Sequence, residues 1–328
     1  MATVTPPHAT SPVPGPAAGD LAPAAQPAPE PRARSGRRAG RRRAAWLTQT
    51  GRVLLGLVFV GPLLFLFVSS LKPDLQIFAD LGSWRAFLPV GDISLDNYTA
   101  VFDRVPFARL LLNSIGISAV TVALGLVINS LAAFGLARLR WRGKQLVLTA
   151  IIATLIVPFE TLALPLVWWV NKLPSLRLEG FHLELTQGWL DTYQVQVIPF
   201  LANAFSIYLF YQYFTSIPTE LDEAARMDGA GWFRIYRRVV MPLSGPAVAT
   251  VAILTFLPAW NSYLWPLMVV QSEELRPVMI GIQYFFQLNV SWGQIMAYAS
   301  MITLPVLALF LAFQKAFIGS IASSGVKG

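Results

Sequence analysis

Residues 216–243 read SIPTELDEAARMDGAGWFRIYRRVVMPL and form the longest polar interruption between apolar runs after residue 200. The pattern predicts two short helices joined by a glycine turn. Pro218 suits the first turn of the first helix, where a missing N–H costs nothing. Leu221, Ala224 and Ala225 fall on one side at three- and four-residue spacing, with Glu220, Asp222, Glu223 and Arg226 around them. Gly229 is placed to end that helix, because a chain reversal there favours positive φ. Trp232, Ile235, Tyr236 and Val239 line one face of a second short helix, which Pro242 stops. Such an elbow is either a solvated amphipathic loop or a docking surface for another protein, and periodicity leaves both open.

The surroundings of the elbow are apolar. Of 328 residues 55% are hydrophobic and 13% charged, against about 25% charged in ordinary soluble domains. The composition is that of a membrane protein. The net charge of +8 is not spread over a folded face. It lies in an N-terminal run and in short loops, as the positive-inside rule expects, so nucleic acid is not an expected partner. With no cysteine and two histidines, His8 and His182, neither thiol chemistry nor a metal site is expected.

Working outward, six apolar runs emerge at residues 53–71, 110–137, 145–170, 193–214, 245–270 and 294–317. Each is about long enough for a hydrocarbon core of roughly 30 Å. Pro158 and Pro165 interrupt the third, and Pro246, Pro258 and Pro266 lie in the fifth. Arg138, Arg140, Arg142 and Lys144 follow the second run, and the elbow follows the fourth. The loops 72–106, 171–191 and 271–293 mix acids with bases. This bias puts both termini, the 138–144 loop and the elbow on the cytoplasmic side. Residues 1–44 are rich in Pro, Ala and Arg, and read as a disordered tail whose arginines anchor topology or contact anionic lipid. A cleaved signal peptide fits less well, because the run 53–71 exceeds the usual roughly 7–15-residue h-region. The organisation expected is a tail (1–44), a first span with its external loop (45–107), a core of five spans (108–318) and a short C-terminal tail (319–328).

Glu223-Ala224-Ala225, then Asp228-Gly229-Ala230, Phe233 and Met241-Pro242-Leu243, resemble the EAA loop of permease subunits in binding-protein-dependent ABC importers. Over residues 50–328 the chain is similar to the carbohydrate-uptake branch, the maltose-permease-like subunits. NSIGIS near 113, LAAFGLARLRWRG near 132, VPFETLALPL near 157, LDTY near 190, WNSYLWPL near 260 and the terminal GVKG support this. LRLEGFHLELTQG, in the 171–191 loop, stands out as an insertion. The resemblance implies an all-α, six-helix, type I importer permease of the bacterial inner membrane. Its implied partners are a second homologous permease, two ABC ATPase subunits and an extracytoplasmic solute-binding protein. The implied solute is sugar-like.

No GxxxxGK[ST] sequence is present, so the chain has no P-loop to cradle nucleotide phosphates. It is not expected to be an enzyme or to bind a cofactor; ATP and Mg belong on the partner ATPase. The elbow is then the mechanical link. Its candidate ATPase-coupling residues are Glu223, Ala224, Ala225, Asp228, Gly229, Ala230, Trp232, Ile235 and Pro242. Glu223 offers an acceptor, Asp228 is placed to steady the turn, and Trp232 and Ile235 are set to fill an apolar groove. The plainer readings are a solvated Glu223, a capping Asp228 and aromatics packed within the chain.

Candidates for the solute path are Glu160, Asn203, Trp260 and Asn261. Glu160 is an acid inside an apolar run, where charge costs roughly 2.5–3.5 kcal/mol on insertion scales and so faces protein or water. Rings and amides suit a sugar, whose C–H faces stack and whose hydroxyls need partners. The competing roles are helix–helix contacts for the amides and an interface belt for tryptophan. Two other classes fit the sequence less well. An ion-coupled secondary transporter needs an internal repeat or several midplane acids, and Glu160 stands alone. A membrane enzyme acting on lipid-linked sugar needs a paired carboxylate or metal motif, and the external aspartates show no such spacing.

Overall fold

The computed structural model describes residues 35–179, 182–287 and 290–325. The chain divides into two units, residues 1–58 and 59–328. Residues 1–34, most of the expected tail, lie outside the described residues, as do 326–328 of the terminal GVKG. Helical backbone begins at Ser35, inside the stretch read as tail, with α1 (Ser35–Ser69).

Three helical stretches are each long and apolar enough to cross a membrane: Thr48–Ser69, Phe107–Arg138 and Trp292–Ala312. Three bent pairs bring the candidate spans to six. In order, α2 (Asp74–Asp80) and α3 (Asp96–Arg104) lie in the first long loop. The second span is α4 (Phe107–Arg138). The third is split into α5 (Lys144–Thr154) and α6 (Phe159–Val170), bent by 105°. A two-stranded antiparallel hairpin, β1 (Pro174–Glu179) and β2 (His182–Gln187), follows. The fourth span joins α7 (Tyr193–Phe200) to α8 (Ala204–Ser216) at 42°. The elbow contains α9 (Glu220–Met227) and α10 (Trp232–Leu243), and α10 meets α11 (Gly245–Trp260) at 83°. Then come α12 (Leu264–Val269), α13 (Val278–Gly281) and α14 (Trp292–Gly325).

The third run breaks at Pro158, the N-cap of α6, but Pro165 stays inside α6, and Pro258 stays inside α11. The fifth run breaks instead at Asn261–Tyr263. There Asn261 turns both its backbone N–H (3.0 Å) and its Nδ2 (2.9 Å) onto Leu257 O, closing the helix end. Ending a helix needs its carbonyls satisfied; an asparagine does this, whereas proline alone only removes a donor.

Helix α4 packs against α8 and α11, and α11 packs against α14. The two ends of α4 carry different cores. Near Arg138, Phe134 and Leu136 meet Phe210, Phe214, Ile235, Tyr236 and Val251. Near Phe107, Leu110 meets Val101, Trp260, Val278, Phe285 and Tyr298. Polar side chains fix this second end. Asn113 Nδ2 donates to the carbonyls of Glu274 (2.8 Å) and Arg276 (2.9 Å), and its Oδ1 accepts from the Tyr193 hydroxyl (2.8 Å). Asp74 accepts from the N–H groups of Trp292 (3.0 Å) and Gly293 (2.7 Å), capping α14 from a distance. Tyr98 bridges Ser70 and Ser300.

Candidate functional site

In the elbow, Thr219 is the N-cap of α9, so Pro218 sits just before the helix rather than in its first turn. Helix α9 ends in a Schellman motif. Ala230 N–H donates to Ala225 O and Gly229 N–H to Arg226 O, both at 2.9 Å, and Gly229 adopts φ +77°. Glycine reaches that left-handed conformation without a Cβ penalty. Helix α10 runs through Pro242 to Leu243, with a π-turn at Tyr236–Val240. The expected stop at Pro242 is thus corrected: the helix ends one residue later and bends at Ser244, whose hydroxyl donates to Val240 O (2.7 Å).

The facing of α9 is the reverse of the hydrophobic pattern. Asp222 is buried, at 5% exposure, while Leu221, Ala224 and Met227 are exposed, Met227 at 89%. Only Ala225 of the expected apolar side leans on the core. The physical reason is Arg138, the last residue of α4. Its Nε lies 3.0 Å from Asp222 Oδ2, and its Nη2 donates to Ile217 O at 2.8 Å. A buried guanidinium demands an acid, and Asp222 supplies it. Asp222 Oδ1 has no hydrogen bond, and burial pushes its carboxyl above the usual carboxylate range despite the pull of Arg138. The sequence placed Asp222 on the polar side of α9 and Arg138 in a basic loop, but neither was a candidate site residue. The available signal was an aspartate beside the EAA glutamate and an arginine closing an apolar run.

Other elbow candidates divide clearly. Glu223, Ala224, Asp228, Gly229 and Pro242 are exposed, as is Phe233; Ala230 is half-buried. Trp232 is partly exposed, with the Arg226 guanidinium 5.0 Å from its ring centroid and its edge toward Phe134. Ile235 is fully buried among Phe134, Phe210 and Val240. Its expected place in a partner's groove is therefore corrected: it is a core residue of this chain.

Residues at or beside three helix breaks, Phe159 and Glu160, Ala202 and Asn203, and Asn261–Tyr263, line a cavity of about 580 Å³. Ser114, Ile117 and Thr121 of α4 form one wall. Phe159, Phe200 and Trp265, one ring from each broken span, meet at centroid distances of 5.6–6.0 Å. Trp265 is anchored by a 2.9 Å bond from Nε1 to Val195 O. Thr121 Oγ1, Thr255 Oγ1 and Gln196 Oε1 are buried without hydrogen bonds, and all three residues line the cavity. Buried polar atoms are normally paired, so these three are exceptions grouped beside one cavity.

Of the solute-path candidates, Glu160, Asn203 and Asn261 line the cavity and are exposed to it. Glu160 lies in the first turn of α6, where a carboxylate is favoured by the helix dipole. Asn203 Oδ1 caps α8 by accepting from Ser206 N–H (2.9 Å). Its own N–H donates to Asn129 Oδ1 (2.8 Å). Trp260 does not line this cavity; it is buried in the second core, stacked on Phe256 at 5.5 Å. Thr121, Gln196 and Thr255 were missed because single hydroxyls and amides in apolar runs look like helix contacts. Among the described residues, no group of three metal-ligating side chains is present.

A bundle of broken spans around a cavity lined by rings and a few amides, with a helical elbow between the fourth and fifth, is the architecture of a multi-pass membrane permease. The sequence pattern of the family described as "Binding-protein-dependent transport system inner membrane component" matches residues 109–322. The chain belongs to this family, the permease subunits of ABC importers, with the type I fold. It is similar to the arabinooligosaccharides transport system permease protein of Halalkalibacterium halodurans, with 30% identity over 87% of this chain and 97% of that protein. It is also similar to the trehalose transport system permease protein of Mycobacterium tuberculosis, with 31% identity over 81% and 92%. Among solved structures, a chain of a bacterial ABC transporter that imports the acidic polysaccharide alginate aligns with TM-score 0.68. Its identity is 26%, covering 87% of this chain and 98% of that one. The ion-coupled alternative finds no support in these relatives.

Proposed function

We propose that this chain moves a neutral carbohydrate inward across the bacterial cell membrane by alternating access, driven by a separate ATPase docked on the elbow. The observation that carries the reading is the outward face of the elbow. Leu221, Met227 and Phe233 present apolar surface beside the exposed acids Glu223 and Asp228. Asp228 caps the C-terminal end of α9, where the helix dipole disfavours a negative charge. That charge is better matched by a basic group of a partner. The coupling contacts assigned are Glu223, Ala224, Asp228, Gly229 and the edge of Trp232; Ala225, Ala230 and Pro242 shape the turn and the exit of α10.

ATP and Mg are held by two ATPase subunits, a second homologous permease completes the path, and an extracytoplasmic binding protein delivers the solute. The elbow, the 138–144 loop and both termini lie in the cytoplasm. Nucleotide-driven approach of the ATPases draws the elbows together and turns the cavity from inward- to outward-facing. In the cavity, the hydroxyls of Thr121 and Thr255 and the amides of Gln196, Asn203 and Asn261 meet sugar hydroxyls, and the aromatic rings meet C–H faces. Glu160 is the only charged group among the described lining residues, which favours a neutral solute over an anion. The relatives named for arabinooligosaccharides and trehalose fit this reading.

The chain has no cysteine, so Met227→Cys gives a single maleimide target. The expected result is rapid labelling of the isolated chain and protection of at least tenfold when the co-expressed ATPase is bound. Equal labelling with and without bound ATPase would sink the docking assignment.

A further inference from the structure

We propose that the Arg138–Asp222 pair is a clamp that passes movement of the elbow to the cavity wall, which makes both positioning residues for the transport cycle. The inference rests on the elbow being the ATPase-docking surface. One guanidinium holds three elements. It closes α4, contacts Asp222 in the first turn of α9 at 3.0 Å, and donates to the carbonyl of Ile217, the C-cap of α8, at 2.8 Å. Both side chains are buried, so water neither screens the contact nor replaces it.

A second hold lies two turns up α4. Ser130 Oγ and the Tyr236 hydroxyl share a buried 2.8 Å hydrogen bond, and the Phe134 ring lies 5.4 Å from the Tyr236 ring. Elbow entry and elbow exit are therefore both fixed to one helix. That helix then reaches the cavity. Asn129 Nδ2 donates to Leu201 O at 2.9 Å and its Oδ1 accepts from Asn203 N–H at 2.8 Å, gripping the break of the fourth span. Thr121, Ile117 and Ser114 of the same helix line the cavity. Helix α4 has 32 residues and no internal proline, so it spans about 48 Å as an unbroken rod. The third to fifth spans are the bent ones. A displacement applied at Asp222 is thus delivered along the one wall element that does not flex.

The test uses the complex purified with its ATPase and the single-cysteine variant Ser262→Cys as a cavity reporter, so no solute needs to be known. Maleimide labelling of residue 262 is compared without nucleotide and with Mg-ATP trapped by vanadate. The expected result is a change in labelling rate of at least fivefold with Asp222 intact. Adding Asp222→Asn should cut the change below twofold while ATP hydrolysis continues, and Asp222→Glu should restore it. If Asp222→Asn prevents assembly, Arg138→Lys replaces it, keeping the charge but losing the fork to Ile217. Full nucleotide-driven change in the assembled Asn or Lys variant would overturn the clamp, as would no change with Asp222 intact. An ATPase that is not captured by the chain at all would instead overturn the docking reading beneath it.

Discussion

Gly229 shows how one backbone angle can carry a motif. Its φ of +77° completes both bonds of the α9 terminus, yet no atom lies within 4 Å of where a Cβ would stand. Gly229→Ala therefore meets only conformational strain, about 1–2 kcal/mol for an L-residue in the left-handed region. Hydrogen exchange at the Gly229 and Ala230 amides should accelerate by roughly 5–30-fold, with amides in α4 unchanged. Asn129 is the opposite case, a side chain that carries the backbone of others. It donates to Gly125 O and Leu201 O and accepts from Asn203 N–H. Asn129→Ala leaves at least one buried group unpaired, at about 1–3 kcal/mol, and should lower the thermal midpoint of the detergent-purified chain. Asp80 titrates in a defined direction. The Lys72 ammonium 2.9 Å away holds its carboxyl below the usual carboxylate range. A depressed folded-state value stabilises above the unfolded value, about 3.9, and the benefit is lost as pH falls through the folded one. The stability gap between wild type and Asp80→Asn should be constant above about pH 4 and close in more acidic buffer.

At the scale of elements, the elbow was legible as two helices and a glycine turn because caps and turns are local. Its facing was not, because facing is decided by Arg138, some eighty residues earlier in the chain. The rule that apolar residues point inward failed at Leu221 and Ala224 once a buried cation had claimed Asp222. The broken spans tell a similar story. Prolines flagged the third and fifth runs but not the fourth, which bends by 42°, and they misplaced the break in the fifth, since Pro258 is carried within α11 and Asn261 ends it. The breaks bring the amides of Asn203 and Asn261 to one space, and this places polar groups in a largely apolar cavity. Thr121→Val and Thr255→Val, which remove hydroxyls but keep shape, should raise the KM for uptake while ATPase capture stays unchanged. An unaltered KM in the double variant would move the solute path elsewhere.

For the whole molecule, six apolar runs and their charge bias were enough to expect the number of spans, since burial in lipid leaves helices almost no alternative. The amides could not be assigned from sequence. Asn113 and Asn129 are consumed by inter-element bonds, whereas Asn203 and Asn261 face the cavity. Nothing local separates the two pairs. The hairpin was also unread as structure, although its residues stood out as an insertion. Its strands pair in register from Pro174↔Gln187 to Glu179↔His182.

The ends of that hairpin meet. Gly188 N–H donates to Leu173 O at 2.9 Å, Trp189 N–H to Val170 O at 3.0 Å, and Trp189 Nε1 to Pro174 O at 2.8 Å. The chain leaves α6 and returns toward α7 through the same doorway, and just inside it Gln194 Nε2 of α7 donates to the buried Ser175 Oγ at 2.7 Å. Loop closure cost grows only slowly with length. The segment is thus pinned at its base and extendable past it: an epitope or fluorescent tag inserted well beyond Ser175 should leave the bonds of the doorway, and with them α6 and α7, in place.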